Sequence, residues 1–164
     1  MFTCIYSIYM KRQTTRSASS PLDVLSECLG YQSLRTARAL TSYYNNALKP
    51  LELQGTQLSL LIAIQSNPGT SLASLGNTLA TDPSTLVRNV AVLRTRGLVH
   101  SGATRGRSGK QLRTTPEGDV MIAQALPIWQ DAFSRLKHRL GEQNAERILE
   151  SLRDLEAASE RPKP

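Results

Sequence analysis

Three observations predict a mainly α fold with a small β-hairpin, an α+β domain. Apolar residues recur at three- and four-residue spacing along most of the chain, in segments set apart by glycine and proline. After Gly97 that spacing gives way, once, to two short strand-like runs around a glycine-rich basic tip. The 164 residues, 40% hydrophobic and 20% charged, can bury one real core but are too few for a two-domain nucleotide enzyme.

Residues 1–20 read as a poorly ordered basic tail ahead of a folded body at 21–160. The apolar run 1–10 is too short to span a bilayer, and its charges, Lys11 and Arg12, follow it rather than precede it, unlike a signal peptide. Met10 offers an alternative start. Pro21 then opens a helical pattern to about residue 48, with Leu22, Leu25, Leu29, Leu34, Ala37, Thr41, Tyr44 and Leu48 on one stripe. Pro50 ends it, because proline disfavours helix at the residue before it. A second helix at about 55–65 is apolar on most sides (Leu58, Leu60, Leu61, Ile62, Ile64) and so is expected at the centre of the core. Asn67-Pro68-Gly69 is a turn. Ser71 caps a short helix to about residue 79. Asp82 then supplies an N-cap with Pro83 at the first helical position, and Gly97 closes that helix as a left-handed residue. Leu86, Val90 and Leu93 form its buried face. Residues 98–101 and 110–114 are the two strands. Thr115-Pro116-Glu117 starts a long helix to about 140 with Pro127 as an expected kink, and after Gly141 a last helix covers about 143–158.

Charge is concentrated in this plan. The net charge is +7 and the pI near 9.8, and residues 83–116 carry Arg88, Arg94, Arg96, Arg105, Arg107, Lys110 and Arg113 without one acid. The other basic and acidic residues cancel. The basic residues alternate with apolar ones, so the segment is expected to fold and to present a single-sign surface, the footprint of nucleic-acid binding. Helix, short helix, turn, second helix and basic hairpin, in that order, make a winged helix-turn-helix. Its recognition helix would start at Pro83 and direct Ser84, Thr85, Arg88 and Asn89 into a major groove, where arginine pairs with guanine and asparagine with adenine. Arg94 and Arg96 are expected at phosphates or at the helix dipole. The hairpin arginines Arg105 and Arg107, with Lys110, are expected at the neighbouring groove and backbone. A winged helix used only for protein contacts is the alternative.

An ordered set of motifs resembles the MarR family of bacterial transcription regulators. It comprises Ala47-Leu-Lys-Pro-Leu-Glu-Leu-Gln-Gly-Thr-Gln57, Leu72-Ala-Ser-Leu-Gly76, Asp82-Pro-Ser-Thr-Leu-Val-Arg-Asn89, Leu93-Arg-Thr-Arg-Gly-Leu-Val99, Arg105-Gly-Arg107 and Thr115-Pro-Glu-Gly118, and spans about residues 21–158. The resemblance implies a cytoplasmic homodimer gripping a double-stranded DNA operator, usually as a repressor relieved by a ligand or oxidant. It places the winged domain at about 52–118 and the dimerisation helices at about 21–49 and 117–158. Two departures stand out: Ala103 replaces the aspartate that usually pairs with the arginine matched by Arg105, and Thr114 replaces a common leucine.

The family's ligand pocket would draw on Arg35, Arg38, Tyr43 and Tyr44 of the first helix, or Trp129, for a small aromatic or phenolic effector; core packing explains their spacing equally well. Cys28 lies near the reactive cysteine of the peroxide-sensing branch but two residues early, with Gly30 at the expected place, so a small buried apolar role is favoured over a redox one. Cys4 falls in the tail, and two cysteines fit a reducing compartment. No enzyme is expected. The run Gly106-Arg-Ser-Gly-Lys110 lacks the first glycine (Thr104) and the final hydroxyl (Gln111) of a phosphate loop. His100 and His138 have no partners at metal spacing, so no metal or cofactor is expected.

Overall fold

The computed structural model describes residues 21–102 and 111–159. Its elements are α1 (Pro21–Glu27), α2 (Leu29–Leu48), a 3-10 turn (Lys49–Leu51), α3 (Gly55–Ser66), α4 (Leu72–Thr78), α5 (Pro83–Thr95), β1 (Val99–Gly102), β2 (Gln111–Thr114), α6 (Pro116–Leu140) and α7 (Glu142–Ser159). The α+β class and the order of elements are those read from the sequence. The chain divides into two compact units, Met1–Leu40 and Thr41–Pro164.

In the first unit the expected continuous helix is interrupted. Cys28 is non-helical, and the Gln32 side chain donates to the Ser26 carbonyl at 2.9 Å while the Gln32 amide donates to the Cys28 carbonyl at 3.0 Å. One helix end is thus satisfied by a side chain and the next helix starts at once. Gly30 stands two residues after the break, but the apolar periodicity runs through both positions. Val24, Leu25, Leu29 and Leu34 are exposed.

In the second unit α3 is the central helix, as its all-round apolar pattern requires: Leu58, Leu60, Leu61 and Ile64 are buried with Leu48, Leu53, Leu75, Leu86, Val90, Leu93, Leu98, Leu112 and Ile122. Its start is tied twice. The Gln54 amide donates to Gln57 Oε1, and the Gly55 amide to Asn45 Oδ1. The two strands pair antiparallel, Val99 opposite Thr114 and His100 opposite Arg113. Because side chains alternate across a strand, Val99, Ser101, Leu112 and Thr114 share one face and His100, Arg113 and Gln111 the other. A third backbone segment joins the hairpin. The Leu112 amide donates to the Thr70 carbonyl at 2.9 Å and Gly69 donates to the Leu112 carbonyl at 2.8 Å. The turn between α3 and α4 thereby braces the wing.

The end of α5 and the start of α6 are locked together. Leu98 N–H donates to Leu93 O, and Gly97 N–H to Arg94 O, with Gly97 at φ +70°. This double bond pattern satisfies the last carbonyls of α5 and brings Leu93 and Leu98 together. Thr115 then donates from its hydroxyl to Gly97 O at 2.6 Å and accepts the Gly118 amide at 3.0 Å. At Gly118 any side chain would collide with the Leu98 carbonyl, so the glycine permits this close approach. Helix α6 continues through Pro127 to Leu140, and Lys137 pairs across the Gly141 turn with Glu142 and Glu146.

Candidate nucleic-acid interface

Helix α5 is built to hold one face against the core and offer the other. The Asp82 carboxylate accepts from the Thr85 amide at 2.9 Å and from the Ser84 hydroxyl at 2.6 Å. The Ser84 bond first, and then the Thr85 amide, hold its carboxyl well below the usual carboxylate range. Leu86, Val90 and Leu93 are buried, and the Gly97 motif closes the far end. With both termini capped and a stripe buried, the helix is rigid where it meets solvent.

Ser84, Val87, Arg88, Ala91, Val92, Arg94 and Thr95 are exposed, whereas Thr85 and Asn89 are half-buried. At about 100° per residue, Ser84, Arg88, Ala91 and Thr95 run along the centre of the outward side. Ser84, Arg88 and Arg94 are thus all open to solvent. Thr85 and Asn89 lie on the flank rather than on the outward side, because their helical angle brings them toward Leu86 and Leu93. The Ser84 proton is committed to Asp82, which leaves its oxygen as an acceptor. A groove of about 630 Å³ separates the C-terminal half of α5 from β1, lined by Ala91, Arg94 and Thr95 on one side and Val99, His100 and Ser101 on the other. Arg105, Arg107 and Lys110 lie outside the described residues. Arg113, on the outer face of β2, is exposed beside His100 and extends the basic surface from α5 to the hairpin.

No protein-family model matches the chain, and no curated protein sequence does. Solved structures do. The transcriptional repressor CouR is 27% identical over 84% of this chain and 98% of its own, with a TM-score of 0.71. The Mycobacterium tuberculosis transcriptional regulator MosR is 28% identical over 81% and 96%, with the same TM-score of 0.71. A MarR family protein of Mycobacterium tuberculosis in complex with salicylic acid is 27% identical over 76% and 96%, at 0.60. CouR is also known bound to a 23-mer DNA duplex and to p-coumaroyl-CoA. These similarities support a MarR-family regulator.

Within this fold one arginine has a different task from the one expected. Arg96 donates to the carbonyls of Glu52 at 2.7 Å and Leu51 at 3.1 Å. It ties the end of α5 to the turn after α2, where Glu52 sits at φ +51° and frees its carbonyl. Both ends of its planar fork are used, so Arg96 is structural and neither a phosphate nor a dipole ligand. A separation of 44 residues hid this bond from sequence reasoning. The exposed Val87 was also passed over, because an apolar residue on a recognition helix reads as core.

Tyr43, Tyr44 and Trp129 come together. Tyr43 meets Tyr44 edge-on at 5.4 Å, Tyr44 stacks on Trp129 at 6.2 Å, and Trp129 stacks on Phe133 at 5.4 Å. The Tyr43 hydroxyl donates to Ala132 O at 2.9 Å. Burial, and to a lesser degree Tyr43, push the Tyr44 phenol above its ordinary value. In the other unit Arg38 is exposed, and the Arg35 guanidinium lies 5.8 Å from the centre of the Tyr31 ring. Cys28 is an exposed free thiol in the single chain. Among the described residues no cluster of metal-ligating side chains occurs, and no helix is long and apolar enough to cross a membrane.

Proposed function

We propose that this protein is a homodimeric transcriptional repressor that binds double-stranded operator DNA through α5 and the wing, in the cytoplasm, and releases it on binding a small aromatic effector. The observation that carries this reading is the construction of α5: a helix capped at Asp82 and Gly97 presents Ser84, Arg88 and Arg94 outward from a braced hairpin, on the fold that CouR uses with a DNA duplex. Arg88 would discriminate bases, with Thr85 and Asn89 at the flank of the contact. Arg94 and the hairpin residues Arg105, Arg107 and Lys110 would supply backbone affinity. The exposed apolar faces of α7 and of residues 24–34 would meet a second copy, and α1–α2 and α6–α7 would then act as dimerisation helices. Tyr43, Tyr44 and Trp129 would face the effector, and p-coumaroyl-CoA on CouR and salicylic acid on the mycobacterial protein indicate its chemistry.

A gel-shift titration against the protein's own upstream DNA, repeated over a series of salt concentrations, tests this. Binding is expected to weaken steeply with salt, and Arg88→Ala is expected to relax sequence preference without flattening that slope. Salt-independent or absent binding would leave the interaction-module alternative standing.

A further inference from the structure

Helix α5 leaves a large apolar side chain in solvent beside its exposed arginines. Val87 is 54% exposed, the most exposed large apolar residue of the helix, although Leu86, Val90 and Leu93 already supply its core face. Single exposed valines are common on protein surfaces. What sets Val87 apart is its surroundings. It lies in the second turn, directly before Arg88, three residues after Ser84 and four before Ala91, on the exposed flank opposite the half-buried one that carries Thr85 and Asn89. Its polar neighbours leave base reading to few atoms: the Ser84 proton is bound to Asp82, and Thr85 and Asn89 are half-buried. Two larger side chains of the N-terminal half, Val87 and Arg88, are therefore presented to solvent. Arginine suits the paired acceptors of guanine. The one apolar feature on a base edge in the major groove is the thymine 5-methyl group. Removing a valine's methyls and a thymine's methyl from water together is favourable, and it distinguishes thymine from cytosine, which lacks that methyl.

We propose that Val87 is a specificity-determining residue that reads a thymine methyl in each operator half-site, beside the base pair contacted by Arg88. This rests on the DNA-binding reading above and deepens it.

The experiment uses the full chain. A binding duplex is first selected from random-sequence DNA, and each thymine of a half-site is then replaced in turn by uracil, which removes only the methyl. For the native protein one position per half-site is expected to lose about three- to fivefold in affinity, the size expected for one buried methyl group. Val87→Ala should bind the thymine duplex more weakly by a similar factor and show no further loss with uracil at that position. Val87→Ile should keep the uracil sensitivity. Circular dichroism of both variants is expected to match the native chain, since the side chain is exposed. A native protein indifferent to uracil everywhere, or a Val87→Ala variant with undiminished uracil sensitivity, would overturn the assignment while leaving DNA binding intact. Absence of salt-dependent binding to any duplex would overturn both this inference and the functional reading beneath it.

Discussion

Helices α5 and α7 are both amphipathic, yet they stand in opposite relations to their own chain. In α5, 13 residues bury Leu86, Val90 and Leu93, the last completely. In α7, 18 residues bury only Ala145, while Ile148, Leu149 and Leu152 remain 38–44% exposed on one side. The apolar stripe of α5 is satisfied within the fold, so its polar side is free for function. The stripe of α7 is left uncovered by the chain itself. An amphipathic pattern therefore reports that a face will be covered, and only the packing shows whether the same chain covers it.

The sharpest way to break the comparison is to damage each stripe and ask whether the loss depends on concentration. Leu93→Ala removes a fully buried side chain that also anchors the Gly97 motif, and is expected to cost about 3 kcal/mol or more. In thermal melts that loss should be the same at every protein concentration. Leu149→Asp combined with Leu152→Asp should instead leave the winged domain helical by circular dichroism, convert the protein to monomers in sedimentation, and weaken operator binding about a hundredfold, because two linked half-site contacts become independent. Native melting temperatures should rise with concentration and those of the α7 variant should not. A native chain that sediments as a monomer would remove the distinction between the two helices.

A smaller effect separates two arginines, one within α5 and one just past its end. Arg88 is exposed, whereas Arg96 holds the Leu51 and Glu52 carbonyls. Arg96→Ala is expected to cost about 1–2 kcal/mol of stability, from two lost hydrogen bonds to a charged donor, with sequence preference on DNA unchanged. Arg88→Ala should do the reverse: melting unchanged, preference relaxed. Equal effects of the two on stability would show that the Arg96 clamp is idle.

These contrasts also explain what could be read without coordinates. The limits of α5 were legible because Asp82-Pro83 and Gly97 act locally, through backbone groups within four residues. The hairpin was legible from a change in period, and the centrality of α3 from an apolar run with no polar side. Contacts between distant residues were not. The Thr70–Leu112 bridge is a single-residue pairing outside any strand pattern, and the Arg96 clamp needs a carbonyl freed by the left-handed Glu52. The α1–α2 break depends on one glutamine side chain reaching back to Ser26. At the candidate interface, residue types identified Ser84 and Arg88, but the placing of Thr85 and Asn89 at the flank, and of Val87 outward, required the packed helix.

The smallest expected effect concerns the cap on which the outward face of α5 depends. The Asp82 carboxyl is held below its ordinary range by bonds that exist only in the folded helix. Its ionised form therefore stabilises the fold above the unfolded carboxylate value of about 4, and that stabilisation is lost as pH falls from there through the lower folded value. Asp82→Asn keeps an oxygen for the Thr85 amide but cannot titrate. The native chain should melt above this variant at neutral pH, and the gap should close progressively below about pH 4. Because every other carboxylate titrates in both proteins, the difference between their melting curves isolates Asp82. A gap that stays constant with pH would mean the cap works as a neutral hydrogen-bond acceptor. The presentation of Ser84 and Arg88 would then owe nothing to the charge that precedes them.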